Sequence, residues 1–92
     1  MNQLTQFLRL EQIRIAFNAG GLSGVRLIAS GGRFYVALDT RAGGVAVLVR
    51  HADQTPRYFS DAATALRLMH DVGFQAASVD MAAWVPGQQS VA

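Results

Sequence analysis

The sequence predicts an α+β domain: an antiparallel sheet of about four strands with two helices on one face, in the order α-β-β-β-α-β. Three observations predict it. Between Val25 and Arg50, apolar side chains alternate along three short runs separated by glycine pairs at 31–32 and 43–44, as in strands with packed faces joined by tight turns. From Arg57 to Asp80, an extended segment, a capping residue, an amphipathic helical run, a glycine and a second apolar run follow in order. At 92 residues the chain can build one core and not two, so these elements must pack on one another. Residues 1–85 form the expected domain, and 86–92, PGQQSVA, a disordered tail.

The first element is expected to be a helix from Leu4 to about Asn18. Leu4, Phe7, Leu8 and Ile15 share one helical face, and Leu10, Ile13 and Phe17 an adjoining one. The stretch QIRIAF also alternates with a period of two, so a helix that breaks early competes with this reading. Ala19-Gly20-Gly21 stops the helix. Val25, Leu27 and Ala29 then oppose Arg26, Ile28 and Ser30 in a first strand, and Ser30-Gly31-Gly32 signals a hairpin. Phe34, Val36 and Leu38 oppose Tyr35, Ala37 and Asp39 in the second strand. After the turn Arg41-Ala42-Gly43-Gly44, Val45 to Arg50 forms the third, apolar on both faces and so central or covered by an interface. Alternation places Arg26, Tyr35 and Arg50 on one side with Ile28, Ala37 and Leu48, away from Val25, Phe34 and Val47.

His51 to Pro56 reads as a loop, and Arg57-Tyr58-Phe59 as a brief addition to the sheet. Ser60 or Asp61 caps the second helix, whose buried face repeats at Ala62, Ala65, Leu66, Met69 and Val72. Gly73 ends it. Ala76 to Met81 returns as a short strand, expected antiparallel because the connections read as short. Trp84 is expected to lie as a lid on the core.

Composition narrows the function. Apolar residues are 51% and charged ones 15%, the reverse of a disordered chain, and some of that apolar surface is expected to cover a second copy or a protein partner. With no cysteine, disulfides, thiolate nucleophiles and cysteine–zinc sites are excluded together. In MNQLTQFLRLEQ, Arg9 and Glu11 interrupt the apolar residues, so no secretory signal is read and a cytoplasmic protein is expected. No apolar run reaches the roughly 18 residues that cross a bilayer, so no membrane partner is expected. All eight basic residues are arginine. Residues 1–50 carry six of them against Glu11 and Asp39, net +4, while residues 51–92 carry Arg57 and Arg67 against four aspartates, net −2. Such asymmetry suits self-association or a modest anionic partner.

The motifs that would carry chemistry are missing. The glycine pairs at 20–21, 31–32 and 43–44 belong to no GxxxxGK[ST] or GxGxxG pattern, so turn geometry explains them. His70 lies in the last turn of the second helix, where a cation complements the helix dipole. His51 with Asp53 resembles a base and its orienting carboxylate but has no evident nucleophile. No catalytic, metal or cofactor-binding residue is therefore assigned, and a non-enzymatic protein is expected. What remains is Arg26, Arg33, Arg41, Arg50 and Arg57 with Tyr35 and Tyr58, on strands and hairpin ends. A sheet face bearing arginine and tyrosine can lie on phosphates, stack on bases, or meet a protein partner.

The segments VRLIASGGRFYVALDTRAGG and PRYFSDAATALRLMHDVGFQAASVDMAAW resemble the small ParC-type proteins found beside partition genes on plasmids and integrative elements, over about residues 20–85. The resemblance implies an accessory role in maintaining mobile DNA, through a partition protein or the DNA itself; it carries no functional residues with it. The expected function is a non-enzymatic, self-associating protein-interaction module. The alternative is a DNA- or RNA-binding accessory protein using the arginine-bearing face.

Overall fold

The computed structural model describes residues 5–86. Its elements are β1 (Thr5–Leu8), α1 (Leu10–Asn18), β2 (Leu22–Ser30), β3 (Arg33–Thr40), β4 (Val45–Leu48), α2 (Ala62–Val72) and β5 (Ser78–Asp80). The class is α+β and the central meander is as expected, with β3 antiparallel to both β2 and β4. The sheet is larger and mixed: five strands in the order β1-β4-β3-β2-β5, with β1 parallel to β4 and β5 parallel to β2. The helices explain the difference. Each is the crossover of a βαβ unit, α1 from β1 to β2 and α2 from β4 to β5, and a crossover returns the chain in its original direction. Only β3 runs against the other described strands.

β1 replaces the first turns of the expected amino-terminal helix. Paired with Val45–Leu48, the strand sends Leu8 toward the core and Phe7 to the opposite face, where it is 52% exposed. Helical spacing had put both on one face; Leu4 lies outside the described residues. α1 opens at Leu10, where Gln12 Oε1 accepts a hydrogen bond from the Arg9 amide at 2.9 Å. That is half of a capping box, since a guanidinium has no acceptor with which to return the bond.

α2 is capped by Asp61, whose Oδ1 accepts from the Thr64 amide at 2.8 Å. It closes at Gly73, with φ 134°, where a Cβ would also run into the Phe17 ring. Phe74 beyond it meets Phe17 edge-on, the centroids 4.8 Å apart, and Arg14 Nη2 reaches Asp71 Oδ2 at 2.9 Å, so the two helices are joined side by side.

Both helices cover the same sheet face. Ile13, Ala65, Met69 and Val72 pack against Val25, Leu27, Ala29, Phe34, Val36, Leu38, Ala46 and Leu48. Leu27, Leu38 and Leu48 are wholly buried, each worth roughly 1.5–3 kcal/mol against exposure. The opposite face carries no helix. One row across it reads Phe7, Val47, Ala37, Arg26, Ser78. The expected register of β4 was therefore wrong by one residue: Val47, not Leu48, shares the face of Arg26, Ile28, Tyr35 and Ala37. β4 also ends at Leu48, leaving Arg50 in the following loop. Trp84 is less of a lid than expected, 42% exposed with its ring tilted at 6.2 Å from Phe34. Of the expected tail, Pro86 is exposed and residues 87–92 lie outside the described residues. No helix among the described residues is long and apolar enough to cross a membrane.

Candidate functional site

The parallel pairing of β1 with β4 brings two strand ends together, and antiparallel β3 begins at the same end of the sheet. Arg9 follows β1 directly, Arg50 stands two residues after β4, and Arg33 is the first residue of β3. The chain then turns back sharply. Thr55 O accepts from the Arg50 amide at 2.8 Å, Arg50 O accepts from the Gln54 amide at 3.3 Å, and Gln54 adopts φ 60°. Asp53 Oδ1 accepts from the Thr55 hydroxyl at 2.8 Å and the Thr55 amide at 3.2 Å, and lies 3.6 Å from Arg50 Nε. The bonds from Thr55, the hydroxyl first, hold the Asp53 carboxyl below its ordinary value, so it stays ionised and keeps the turn closed.

The return segment, residues 56–59, takes up the place beside β3 that β4 leaves. The Arg57 amide donates to Leu48 O at 3.0 Å, and Phe59 and Phe34 exchange backbone bonds of 2.7 and 2.9 Å. Alternation along this segment buries Phe59 and turns Tyr58 to the helix-free side, where its ring meets Tyr35 edge-on with centroids 5.9 Å apart. Arg57 and Tyr58 thus arrive at the strand ends that already carry Arg9, Arg33 and Arg50.

These residues enclose a cleft of about 780 Å³. Four guanidinium groups line it, those of Arg9, Arg33, Arg50 and Arg57, against one carboxylate, Glu11. The arginines are weakly neutralised. Arg9 Nη2 is 4.0 Å from Glu11 Oε2, at the limit of an ion pair, and its Nε is buried with no hydrogen-bond partner. Arg33 and Arg57 make no ion pair among the described residues and are held by rings instead: Arg33 Cζ lies 4.0 Å over Tyr58, and Arg57 Cζ 5.1 Å over Phe59. A concave site lined by guanidinium groups whose donors remain largely unspent is suited to a phosphate or a similar oxyanion.

The structure gathers Arg33, Arg50 and Arg57 of the expected contact residues around this cleft, with Tyr35 behind Tyr58. It does not gather Arg26 or Arg41. Arg26 Nη2 is bonded to Asp39 Oδ1 at 2.9 Å on the helix-free face, and Arg41 Nε to Gly20 O at 2.7 Å. Arg41 follows the far end of β3 from Arg33, about 26 Å away by strand rise. Sequence reasoning missed Arg9 and Glu11, because a continuous helix from Leu4 hides the strand end on which they stand. It also paired His51 with Asp53; the carboxylate belongs instead to Thr55 and Arg50, and His51 lies in the cleft wall. No group of three or more metal-ligating side chains occurs among the described residues. Comparisons with protein-family models, with curated proteins and with solved structures find no match to this chain.

Proposed function

We propose that this protein is a non-enzymatic accessory that binds the phosphate backbone of nucleic acid in the arginine cleft. The observation that carries the reading is the convergence of Arg9, Arg33, Arg50 and Arg57 on one concavity whose lining holds one carboxylate, Glu11, with Asp53 pairing Arg50 from the adjoining turn. The lining supplies guanidinium donors, which hold an anion, and the Tyr58 ring, which holds the Arg33 guanidinium in place. Such a role also agrees with the maintenance of mobile DNA that the ParC-type resemblance implies. The test is a fluorescence-anisotropy titration of labelled oligonucleotide at stepped salt. Counterion release predicts that log K falls by about 0.7–0.9 per phosphate contacted for each decade of salt. Binding that ignores salt, or none at low salt, contradicts the reading.

A second reading, association with another copy or a protein partner in the cytoplasm, draws on the helix-free sheet face. There Phe7, at 52% exposure, stands at the β1 edge of a row whose next members, Val47 and Ala37, are buried, so Phe7 is the apolar side chain this row presents. An apolar interface responds little to salt, which separates the two readings.

A further inference from the structure

Resting on the nucleic-acid reading, we infer that the cleft takes single-stranded nucleic acid in preference to duplex, with one unstacked base lying in the layer formed by Arg33 and Tyr58. The first ground is shape. A duplex is read by elements that protrude into its grooves, such as a helix or a two-stranded ribbon in a major groove about 12 Å wide. Here the basic groups line a hollow between strand ends, the amino end of α1 and the 50–58 segment. Its volume of about 780 Å³ is that of a small-ligand site, room for a nucleotide or two and not for the body of a helix.

The second ground is the arrangement of flat groups. Tyr58 is 38% exposed, the Arg33 guanidinium lies 4.0 Å over its ring, and Tyr35 braces it edge-on at 78°. A ring and a guanidinium already stacked and braced form a layer onto which a base adds without further ordering of the protein. The faces of duplex bases are occupied by their neighbours, whereas a splayed single strand offers them freely, and aromatic or guanidinium planes are the surfaces on which such bases stack.

The third ground is spacing of function within the cleft. Arg9, Arg50 and Arg57 line the same cleft as the layer, so phosphates flanking a stacked base meet cations without the strand leaving the hollow, and Arg33 adds its own charge. Four contacts to a single strand correspond to a salt slope near −3, from about −0.7 for each.

The experiment compares a labelled 12-nucleotide single strand of mixed sequence with the duplex formed by adding its complement, in two buffers, one at low and one near physiological salt. Both are titrated with wild-type protein, Tyr58→Phe, Tyr58→Ala and Arg33→Lys. The single strand is expected to bind about tenfold or more tighter than the duplex. Tyr58→Ala lowers single-strand affinity by about tenfold and duplex affinity little, while Tyr58→Phe keeps the preference. Arg33→Lys retains the charge but loses the plane, so it lowers the preference without abolishing phosphate binding, and it serves if Tyr58→Ala does not fold. Equal or tighter duplex binding, or equal losses for both forms in Tyr58→Ala and Arg33→Lys, overturns the strand preference while leaving a phosphate site. Failure of both nucleic acids to bind at low salt overturns the nucleic-acid reading itself.

Discussion

Arg33 and Arg57 rest on rings while Arg26 rests on a carboxylate, and the difference predicts how each behaves when its charge is removed. Replacing both Arg33 and Arg57 by Gln is expected to shallow the salt slope for a single strand by about 1.4, two contacts' worth. The cost in stability is about 1 kcal/mol, since exposed cation–π contacts are individually small. Arg26→Gln is expected to leave binding unchanged. Urea unfolding beside the anisotropy titration checks all three statements. Asp61 adds a pH dependence. The Thr64 amide, then its hydroxyl, hold the Asp61 carboxyl below its ordinary value, so its contribution is present above the unfolded value near 3.9 and fades as pH falls through the lower folded one. Asp53 acts in the same sense. Asp61→Asn keeps an acceptor for the cap, so it should lose less thermal stability at pH 7 than Asp61→Ala and show a smaller drop on acidification than the wild type. At this scale Arg33, Arg50, Arg57, Tyr35 and Tyr58 were legible as residue types on strands and hairpin ends, and Arg9 was not. Which of them meet was not, because Arg9 reaches the others only through the pairing of β1 with β4.

α2 announces itself by local chemistry: an Asp cap, an apolar face at helical spacing and a glycine stop that fall in register. Gly73 shows why the stop is firm. Gly73→Ala combines a positive φ with a collision against Phe17 and is expected to destabilise by roughly 2–3 kcal/mol; Gly20→Ala, with φ 79° and open space around it, should cost only about 1 kcal/mol. Denaturant midpoints of the two variants test the comparison. β1 was illegible for the opposite reason. TQFL is four residues long, fits either period, and becomes a strand only because Val45–Leu48 offers a free edge far along the chain. The register of β4 failed by a single step, since VAVLV is apolar at every position and alternation has nothing to count. Leu48→Ala should therefore cost roughly 2–5 kcal/mol and Val47→Ala appreciably less, as only Leu48 faces the helices.

The molecule as a whole divides its labour between its two sheet faces and one sheet end. The helices seal one face, the cleft gathers cations at the shared end of β1, β4 and β3, and the helix-free face exposes Phe7 at its β1 edge while Val47 beside it is buried. The mixed topology follows from two crossovers whose partners lie far apart in sequence, which is why the antiparallel sheet of the sequence reading was only its central part. If the open face joins two copies, Phe7→Asp converts a sedimenting dimer to monomer and leaves the salt-dependent nucleic-acid titration of the cleft intact. The most direct test of the central claim is a heteronuclear NMR titration of the labelled protein with a short single-stranded oligonucleotide. The account predicts that shifts concentrate at Arg9, Arg33, Arg50, Arg57 and Tyr58, including the arginine side-chain resonances. Shifts centred instead on Phe7, Val47 and Arg26, or at the Arg41 end of the sheet, would contradict it.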